Sequence, residues 1–531
     1  MKISLSRSER DEAIAALQRR WDAEDLMGRV WRKDPTVWSD EPQPEIDDRL
    51  GWLDLPATAG RHIEEIDRLS DVATSVGIRH IVLCGMGGSS LAPEVFSATQ
   101  TQRAGHPSLI VCDSTHPDAL SAIATSIDTS KTWFVISSKS GTTIETLSFM
   151  QYFWEAVSEL SPSPGDQFIA VTDPDSALAD TAVEHGFRAV FLADPNVGGR
   201  YSALSAFGLV PAGLIGCDIR ALLAAGAAAA SLCSPETPLS LNPGFTIGAS
   251  MATAASRGQD KVRFVGDDVG GPVGAWVEQL IAESTGKDGK GIVPLDGGPR
   301  RVDATDEIVV FLGSNMADQG VDEPDVVIQF ERPADVGAVM FILELATAVA
   351  SEMIGINPFN QPDVQRAKAL AIEAMQDGSG EITGSLSIRS PNIHSRLVEL
   401  LAPPRPSYVA IQAFLAPSAD TTTALRSIQQ NVTNRTGAAT TVGYGPRFLH
   451  STGQLHKGGP KGARFIQIVD TPSHDIDVPD TDFSFGKLIS AQAAGDLAAL
   501  TDIDGRVMSI NLGEDPAAGL IGLANVVREP D

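Results

Sequence analysis

Residues 137–146, with the sequence SSKSGTTIET, hold six hydroxyl side chains and one lysine. Hydroxyls, backbone N–H groups and an ammonium at the start of a helix can together surround a phosphate dianion. An ordinary helix N-cap would need only one Ser or Thr. The stretch is therefore predicted to bind phosphate, and the candidate side chains are Ser138, Lys139, Ser140, Thr142, Thr143 and Thr146.

A glycine-rich turn, GMGGSS, covers residues 85–90. Glycine lets the backbone approach an anion closely, and the helix that follows adds N–H donors, so Gly88 and Ser89 are candidate ligands of the same group. Two alternatives stay open. One is a dinucleotide fingerprint, for which Asp113 would be the ribose-binding acid although Ser90 stands where a third glycine is expected. The other is a purely structural tight turn.

A third motif, GGRYS at residues 198–202, places Arg200 directly after Gly199. The guanidinium is a permanently charged donor that suits an oxyanion or a developing enediolate. A lone arginine in this position is as compatible with a salt bridge as with a site. Its occurrence together with the other two motifs favours the site.

These motifs follow the first, third and fifth of five short strand-like runs, which alternate with helical segments: RHIVLC, SLIVCD, TWFVIS, QFIAVT and RAVFLA. Such alternation predicts a doubly wound parallel sheet, here over residues 77–215. A second, looser set of strands (KVRFVG, EIVVFLG and DVVIQF) predicts a second α/β unit over residues 216–375. The fold class is therefore α/β, with two doubly wound units in tandem.

The flanking regions differ from this core. Apolar periodicity predicts an N-terminal helical arm over residues 1–76, with a helix from Ser8 to about Arg32. Residues 376–406 are rich in Gly, Ser and Pro, which predicts a linker. Residues 407–531 show the order strand, helix, strand, strand, helix, strand, which indicates a small α+β domain of split βαβ type.

The composition argues against some classes of binding partner and indicates the cellular compartment. The net charge of −28 and pI near 4.6 argue against nucleic-acid and anionic-membrane binding. Four scattered cysteines without a CxxC pair indicate a reducing compartment and no structural zinc, and the histidines lack metal-ligand spacing. The N-terminus is charged and there is no run of about 18 apolar residues. The protein is therefore predicted to be cytoplasmic, without a metal site.

The three motifs, in this order, resemble those of glucose-6-phosphate isomerases, which are members of the sugar-isomerase (SIS) fold group. The resemblance covers residues 45–470, closely at the motifs and loosely between them. It implies SIS-like folds for both α/β units. It also implies the interconversion of glucose 6-phosphate and fructose 6-phosphate, a step of glycolysis and gluconeogenesis, through a cis-enediolate and without a cofactor.

Two further segments resemble family motifs that carry catalytic residues. The segment QLIAESTGK at residues 279–287 is similar to a helix that ends in ESNGK, which implies that Glu283 is the general base and that Gln279 binds substrate. The segment QPDVQRAK at residues 361–368 looks like the family's Q-x-G-V-E-x-x-K motif. That likeness implies that Lys368 reaches the sugar ring oxygen and that Gln361 lies at the site.

The ring-opening histidine of the family would fall between these two segments, and this chain has no histidine between Glu283 and Lys368. His450 and His456, in the C-terminal region, are the candidate substitutes, because imidazole exchanges protons near neutral pH. The hypothesis is that the C-terminal domain folds back and brings one of them into the cleft. This arrangement resembles the isomerase half of bacterial transaldolase–isomerase fusion proteins. A homodimer or a transaldolase partner is therefore expected besides the sugar phosphate.

Two other classes of function compete with an isomerase. A non-catalytic SIS protein that binds sugar phosphate would have no reason to keep Glu283 within AESTGK. A nicotinamide-dependent dehydrogenase would use the GMGGSS turn, but the hydroxyl-rich stretch argues against it. The isomerase is therefore the favoured hypothesis.

Overall fold

The protein is described by a computed structural model over residues 2–5, 12–302, 304–316, 323–377, 382, 384–503 and 506–528. Three five-stranded sheets carry the fold, and helices cover their faces. One large hydrophobic core joins the N-terminal region to the first two sheets. A separate core lies within the C-terminal unit.

The N-terminal region is less helical than predicted. Its elements are β1 (Lys2–Leu5), α1 (Glu12–Ala23), α2 (Leu26–Trp31), α3 (Leu55–Thr58) and α4 (Ile63–Ser75). The prediction of a purely helical arm is wrong for β1, which pairs antiparallel with residues 326–329 of the second sheet. The single helix predicted from Ser8 to Arg32 is also wrong, because Asp25 adopts a left-handed conformation (φ 50°) that separates α1 from α2. Residues 8–11 of that prediction lie outside the described part.

The first α/β unit forms the sheet that was predicted. Its elements are β2 (His80–Gly85), α5 (Leu91–Thr99), β3 (Ser108–Cys112), α6 (Pro117–Ser126), β4 (Thr132–Ser137), α7 (Ile144–Ser158), β5 (Phe168–Thr172), α8 (Ala177–Glu184), β6 (Ala189–Leu192) and α9 (Ala206–Leu214). All pairs are parallel, in the order β3-β2-β4-β5-β6. The chain reverses its direction of winding between β2 and β4. Ligands of doubly wound sheets bind at such a switch point, beyond the carboxyl ends of the strands.

The second α/β unit has a parallel sheet with one antiparallel edge. Its elements are α10 (Ile219–Leu232), α11 (Pro243–Ser256), β7 (Lys261–Gly266), α12 (Val273–Thr285), β8 (Val293–Asp296), β9 (Glu307–Gly313), β10 (Val326–Gln329) and α13 (Val336–Ile354). The order is β1-β10-β9-β7-β8, and β8 was not predicted. The apolar helical stretch Pro333–Ile354 is long enough to cross a membrane, but 83% of its apolar 18-residue window is buried inside the protein, as expected of a core helix.

The C-terminal unit differs in topology from the prediction. Its elements are α14 (Pro362–Asp377), β11 (Leu386–Ser387), α15 (Ile393–Leu401), β12 (Val409–Phe414), α16 (Ala419–Thr436), β13 (Thr440–Tyr444), α17 (Gly453–Gly458), β14 (Arg464–Val469), α18 (Phe485–Asp502), β15 (Arg506–Asn511) and α19 (Pro516–Arg528). The sheet is entirely parallel, in the order β11-β15-β14-β12-β13. The split βαβ, α+β topology is therefore wrong. The strands of a parallel sheet need crossover connections, and the connection from β13 to β14 contains α17, a helix that was not predicted.

The linker predicted over residues 376–406 is likewise wrong in its described part. It contains α15 and also β11, where Leu386 pairs with Ile510 of β15. Residues 378–381 and 383 of that segment lie outside the description. Helix α14 packs so tightly on α18 that a Cβ at Gly495 would lie 2.6 Å from the backbone nitrogen of Ala371. We propose that the C-terminal unit begins with α14 instead of at residue 407.

Candidate active site

The first and third motifs touch each other through their glycines. A Cβ at Gly88, which follows β2, would lie 2.1 Å from the carbonyl oxygen of Gly199. Gly87 has a positive φ of 53°, and a Cβ there would lie 2.5 Å from the carbonyl oxygen of His450. Only glycine permits both approaches. The GMGGSS turn therefore lies between the Arg200 turn and a segment of the C-terminal unit.

The hydroxyl-rich loop follows β4, the neighbour of β2 in the sheet. Ser138 is buried, and its Oγ lies 3.0 Å from Thr143 Oγ1 while it accepts a bond of 3.1 Å from the N–H of Gly141. Ser140 and Thr142 are exposed, with their hydroxyl oxygens 3.0 Å apart. Thr143 precedes α7 but its side chain does not cap the helix. The hydroxyls are thus gathered at the open N-terminus of α7, where a positive helix dipole end favours an anion.

Lys139 faces away from these hydroxyls. Its ammonium is ion-paired with Asp173 and donates a bond of 2.9 Å to the carbonyl of Pro195. It therefore links the hydroxyl-rich loop to the chain segment that leads to Gly199 and Arg200. Its predicted contact with phosphate stays a prediction.

Arg200 is buried beside the predicted base. Its Nη1 lies 3.2 Å from Glu283 Oε2, and its Nη2 donates to the carbonyls of Pro358 at 2.8 Å and Asn360 at 3.0 Å. Lys287, just beyond α12, donates to the carbonyl of Asn357 at 2.5 Å. Burial, and then the charge of Arg200, hold the pKa of Lys287 well below its ordinary value. Arg200 therefore contacts Glu283 directly, and the charges of both side chains act on Lys287.

Gln279 joins the predicted base to the C-terminal unit. It lies four residues before Glu283 on α12, so both side chains point to the same side of the helix. Its Nε2 donates to Glu283 Oε2 at 3.2 Å and to the carbonyl oxygen of His450 at 2.8 Å. The amide group of Gln279 therefore donates hydrogen bonds both to the predicted base and to the predicted ring-opening segment.

The imidazole of His450 contacts a residue that the sequence analysis had not selected. His450 Nε2 lies 2.8 Å from Glu145 Oε1, and Glu145 is buried. Burial raises the pKa of Glu145, but the charge and hydrogen bond of His450 and the charge of Lys368 outweigh it, so this pKa lies below its ordinary value. The sequence could have pointed to Glu145. A carboxylate inside a phosphate-binding loop repels the anion unless a cationic or donor group neutralises it, so such a residue needs a partner.

His456 is not at this site. It is buried among the rings of Tyr408, Phe448 and Phe465, and its Nδ1 lies 3.1 Å from Gln412 Nε2. Burial, and then the charge of Lys457, hold its pKa well below the ordinary value. Of the two candidate histidines, the structure brings only His450 to Gln279 and Glu145. The expectation that His456 is an equal candidate is therefore corrected.

The segment QPDVQRAK, at residues 361–368, spans the start of α14 and carries the next two predicted site residues. Lys368 lies on α14 with an exposed side chain, and its charge acts on Glu145. Gln361 is half-buried just before this helix, and Ser89 is half-buried in the GMGGSS turn. The start of α14 is held by Gln454, which accepts from the N–H of Asp363 at 3.0 Å and donates to the carbonyl of Gly286 at 2.9 Å.

Arg447 attaches the His450 segment to the first unit. Its guanidinium pairs with Glu94 on α5 and, at 3.2 Å, with Asp113 beyond β3. Burial raises the pKa of Asp113 in spite of the charge of Arg447. Asp113 is thus engaged by Arg447, which disfavours the alternative in which it binds a ribose.

Several buried polar atoms at the site lack partners within the described residues. They include Gln279 Oε1 and, in the hydroxyl-rich stretch, Ser137 Oγ and Thr146 Oγ1. A buried acceptor or hydroxyl without a partner costs free energy, so such atoms favour a ligand that supplies one. Among the same residues, no group of three or more His, Cys, Asp or Glu side chains is arranged to hold a metal ion.

Comparison with known proteins shows which family model and which relatives the chain is similar to. A family model described as "Phosphoglucose isomerase" matches residues 63–290. A glucose-6-phosphate isomerase of Rubrobacter xylanophilus is 28% identical over 392 residues, which is 62% of this chain and 90% of that protein. A probable glucose-6-phosphate isomerase of Haloquadratum walsbyi is 34% identical over 43% of this chain and 51% of its own length.

Solved structures agree with the fold. A hypothetical protein from Thermus thermophilus has a TM-score of 0.58 at 23% identity, covering 70% of this chain and 99% of that one. A glucose-6-phosphate isomerase from Chlamydia trachomatis has a TM-score of 0.58 at 20% identity, covering 75% and 92%.

The two parallel sheets, with hydroxyl and glycine loops at a switch point, define an α/β protein of the sugar-isomerase fold group. Residues 63–290 match the phosphoglucose isomerase family model, and the chain is similar to glucose-6-phosphate isomerases over most of their length. The family match ends at residue 290, before Lys368 and His450.

Proposed function

We propose that this chain is an aldose–ketose isomerase that interconverts glucose 6-phosphate and fructose 6-phosphate. The observation that carries the proposal is the environment of Glu283, which is buried with Arg200 Nη1 at 3.2 Å and Gln279 Nε2 at 3.2 Å. A carboxylate beside a guanidinium can carry one proton between neighbouring carbons while the positive charge stabilises the enediolate. The curated relatives named above carry the same activity in their names.

The chemical steps require three kinds of group. Opening the ring places a proton on the ring oxygen and removes one from the hydroxyl at C1. Glu283 then removes the proton at C2 to form the cis-enediolate, a proton passes from the C2 hydroxyl to O1, and the same carboxyl returns its proton to C1 to form the ketose. Arg200 supplies positive charge next to Glu283 throughout.

His450 is the group that we assign to ring opening. Because Glu145 holds a lowered pKa and can only accept, the Nε2 of His450 carries the proton of their 2.8 Å contact. Its Nδ1 is then the nitrogen that exchanges a proton with the sugar. Lys368, whose charge reaches Glu145, adds positive charge on the α14 side of the cleft.

The phosphate of the substrate is assigned to the loop at the N-terminus of α7. Ser138, Ser140, Thr142, Thr143 and the buried Thr146 supply hydroxyl donors, and Gly88 and Ser89 face it from the neighbouring strand end. Gln279 Oε1, which has no hydrogen-bond partner among the described residues, is assigned to accept a bond from a sugar hydroxyl. Gln361, half-buried just before α14, is assigned to the same site.

Glu283→Gln tests the assignment directly. An amide cannot take the C2 proton, so we expect isomerisation to fall by about 10²–10⁴ in kcat with a nearly unchanged KM. A coupled assay with glucose 6-phosphate, fructose 6-phosphate and other sugar phosphates measures both constants. The matched control is Glu278→Gln on the same helix, for which the parent rate is expected. Near-parent turnover in Glu283→Gln would contradict the role of Glu283.

A non-catalytic binding protein and a dehydrogenase are less favoured. Binding alone does not require a buried carboxylate bridged by Arg200 and Gln279. A dehydrogenase would require Asp113 for a ribose, and that side chain is paired with Arg447. The same coupled assay, with nicotinamide cofactors added, separates these cases.

The compartment and assembly are proposed from the chain's own properties. Its four cysteines are free and buried, which suits the reducing cytoplasm. The expected homodimer, or a transaldolase partner, stays a prediction. Size-exclusion chromatography with light scattering measures the first, and co-purification measures the second.

A further inference from the structure

The first unit and the C-terminal unit meet at a second contact on Glu145, made by helix α18. Gln492 is buried on this helix, and its Nε2 donates to Glu145 Oε1 at 2.7 Å. That oxygen is the one that contacts His450 Nε2 at 2.8 Å. The C-terminal unit therefore supplies both the imidazole and the amide that hold one carboxylate oxygen.

The orientation of the Gln492 amide is determined at its other end. Thr115, which follows β3, donates its hydroxyl to Gln492 Oε1 at 2.8 Å, and both side chains are buried. The carboxylate of Glu145 accepts bonds only, so the amide must turn its nitrogen toward Glu145 and its oxygen toward Thr115. A continuous hydrogen-bonded chain thus runs from Thr115 through Gln492 and Glu145 to His450.

We propose that Gln492 is a positioning residue of the isomerase, which fixes the Glu145 carboxylate and through it the ring of His450. This inference rests on the proposed function, because it assigns a role in the ring-opening step. Without the amide, Glu145 keeps its bond to His450 but loses the donor that holds its oxygen in place. The imidazole then samples orientations in which Nδ1 does not face the sugar.

In the hydrogen bonds of the described residues, the side chain of Gln492 contacts Thr115 and Glu145, and it contacts neither Glu283 nor the hydroxyls assigned to the phosphate. Its loss should therefore affect ring opening and leave substrate binding almost unchanged. Ring opening can be followed by itself, because opening and reclosure exchange the α and β anomers of glucose 6-phosphate. Magnetisation exchange between the two anomeric protons measures that rate above the uncatalysed background.

The test compares Gln492→Leu with Gln467→Leu, both in the full chain. Gln467 is a buried glutamine of the same unit, and it donates to the carbonyl of Ala493 at 2.9 Å. We expect Gln492→Leu to lower anomerisation and isomerisation by the same factor, about ten- to a hundredfold, with KM within about twofold. Gln467→Leu should keep both rates. Glu283→Gln should lose isomerisation and keep anomerisation.

Thr115→Val tests the same chain of bonds from its other end without changing Gln492. The isosteric variant removes the hydroxyl that orients the amide, so a smaller but equal loss of both rates is expected. An active parent with parent rates in Gln492→Leu and Thr115→Val would overturn the role of Gln492 and leave the proposed function intact. A loss of isomerisation with normal anomerisation would also overturn it. A parent that catalyses neither reaction would overturn the proposed function and this inference with it.

Discussion

His450 and His456 are six residues apart, yet their surroundings differ in every respect that matters for proton transfer. His450 is partly exposed to the cleft, with Glu145 on its Nε2. His456 is enclosed by aromatic rings, and its pKa is held low mainly by burial. An imidazole that cannot gain a proton near neutral pH fills space and does not shuttle protons.

Replacing each histidine by alanine should separate the two roles. His450→Ala is expected to lose about 10²–10⁴ of kcat and to lose catalysed anomerisation, because the ring-opening group is removed. His456→Ala is expected to keep both rates and to lose about 2–5 kcal/mol of unfolding free energy through the cavity that it leaves. Kinetics and urea denaturation measure the two effects. The opposite pattern would assign the ring-opening role to His456.

At the scale of elements, the site is built where strands end and helices begin. Loops after β2 and β4 flank the switch point of the first sheet, and α12 approaches them from the second unit. The approach is close because Gly88 has no side chain to separate its turn from Gly199. Each element contributes one kind of group: hydroxyls from the start of α7, a carboxylate from α12 and an imidazole from the turn after β13.

The loop before α7 carries a prediction of its own. Ser138→Ala combined with Thr143→Ala removes two hydroxyls from the helix N-terminus, and each lost bond to a charged group should cost about 1.5–3 kcal/mol of binding free energy. KM for glucose 6-phosphate should rise, while inhibition by unphosphorylated sugar should change little. The control, Ser126→Ala with Thr181→Ala, removes hydroxyls that bond helix carbonyls of the same unit away from the loop. Equal effects on both sugars would mean that these residues do not read the phosphate.

At the scale of the whole molecule, the C-terminal unit is packed against both α/β units. A cavity of about 670 Å³ remains where it meets the second unit, and its walls include Glu278, Asp296, Arg426 and Arg447. Burial, and then repulsion from Asp296, raise the pKa of Glu278 to about 8. Burial also raises the pKa of Asp296 to about 6. In the folded protein these two carboxyl groups therefore keep their protons to a higher pH than they do in the unfolded chain.

This proton uptake predicts the pH dependence of stability. An unfolded Glu titrates near pH 4.3, so between about pH 4.3 and 8 the folded state binds the extra proton. Stability should therefore fall as pH rises through that window. Thermal unfolding from pH 5 to 9 should show a smaller decline in Tm for Glu278→Gln, which mimics the protonated side chain. Glu159→Gln, at an exposed position beyond α7, should follow the parent. Identical slopes for parent and Glu278→Gln would contradict the prediction.

The sequence by itself determined the first sheet and the candidate loops. Strand-like runs alternating with helices predict parallel strands, and the residues that follow them are local in sequence, so hydroxyls, glycines and Arg200 could be selected without knowing the tertiary structure. The spacing of Gln279 and Glu283 likewise fixes a shared helix face, because residues four apart are neighbours on any α-helix.

The sequence was a poorer guide where pairing is non-local. Strand β1 forms by pairing with β10, more than 300 residues away, and local periodicity carries no information on that partner. The helical turn and α17 between β13 and β14 lie in a stretch for which no helix was predicted. Without a helix between these strands, the parallel topology could not be deduced.

Only the tertiary structure decided which histidine belongs to the site and which residues position it. His450 and His456 have similar sequence surroundings, and their difference arises from what packs against them: Glu145 from the first unit in one case and a ring cluster of the C-terminal unit in the other. Gln492 lies 347 residues from Glu145, in a helix with no motif. A hydrogen bond depends on the distance and direction between two groups, and for groups from separate units only the packing of those units sets them.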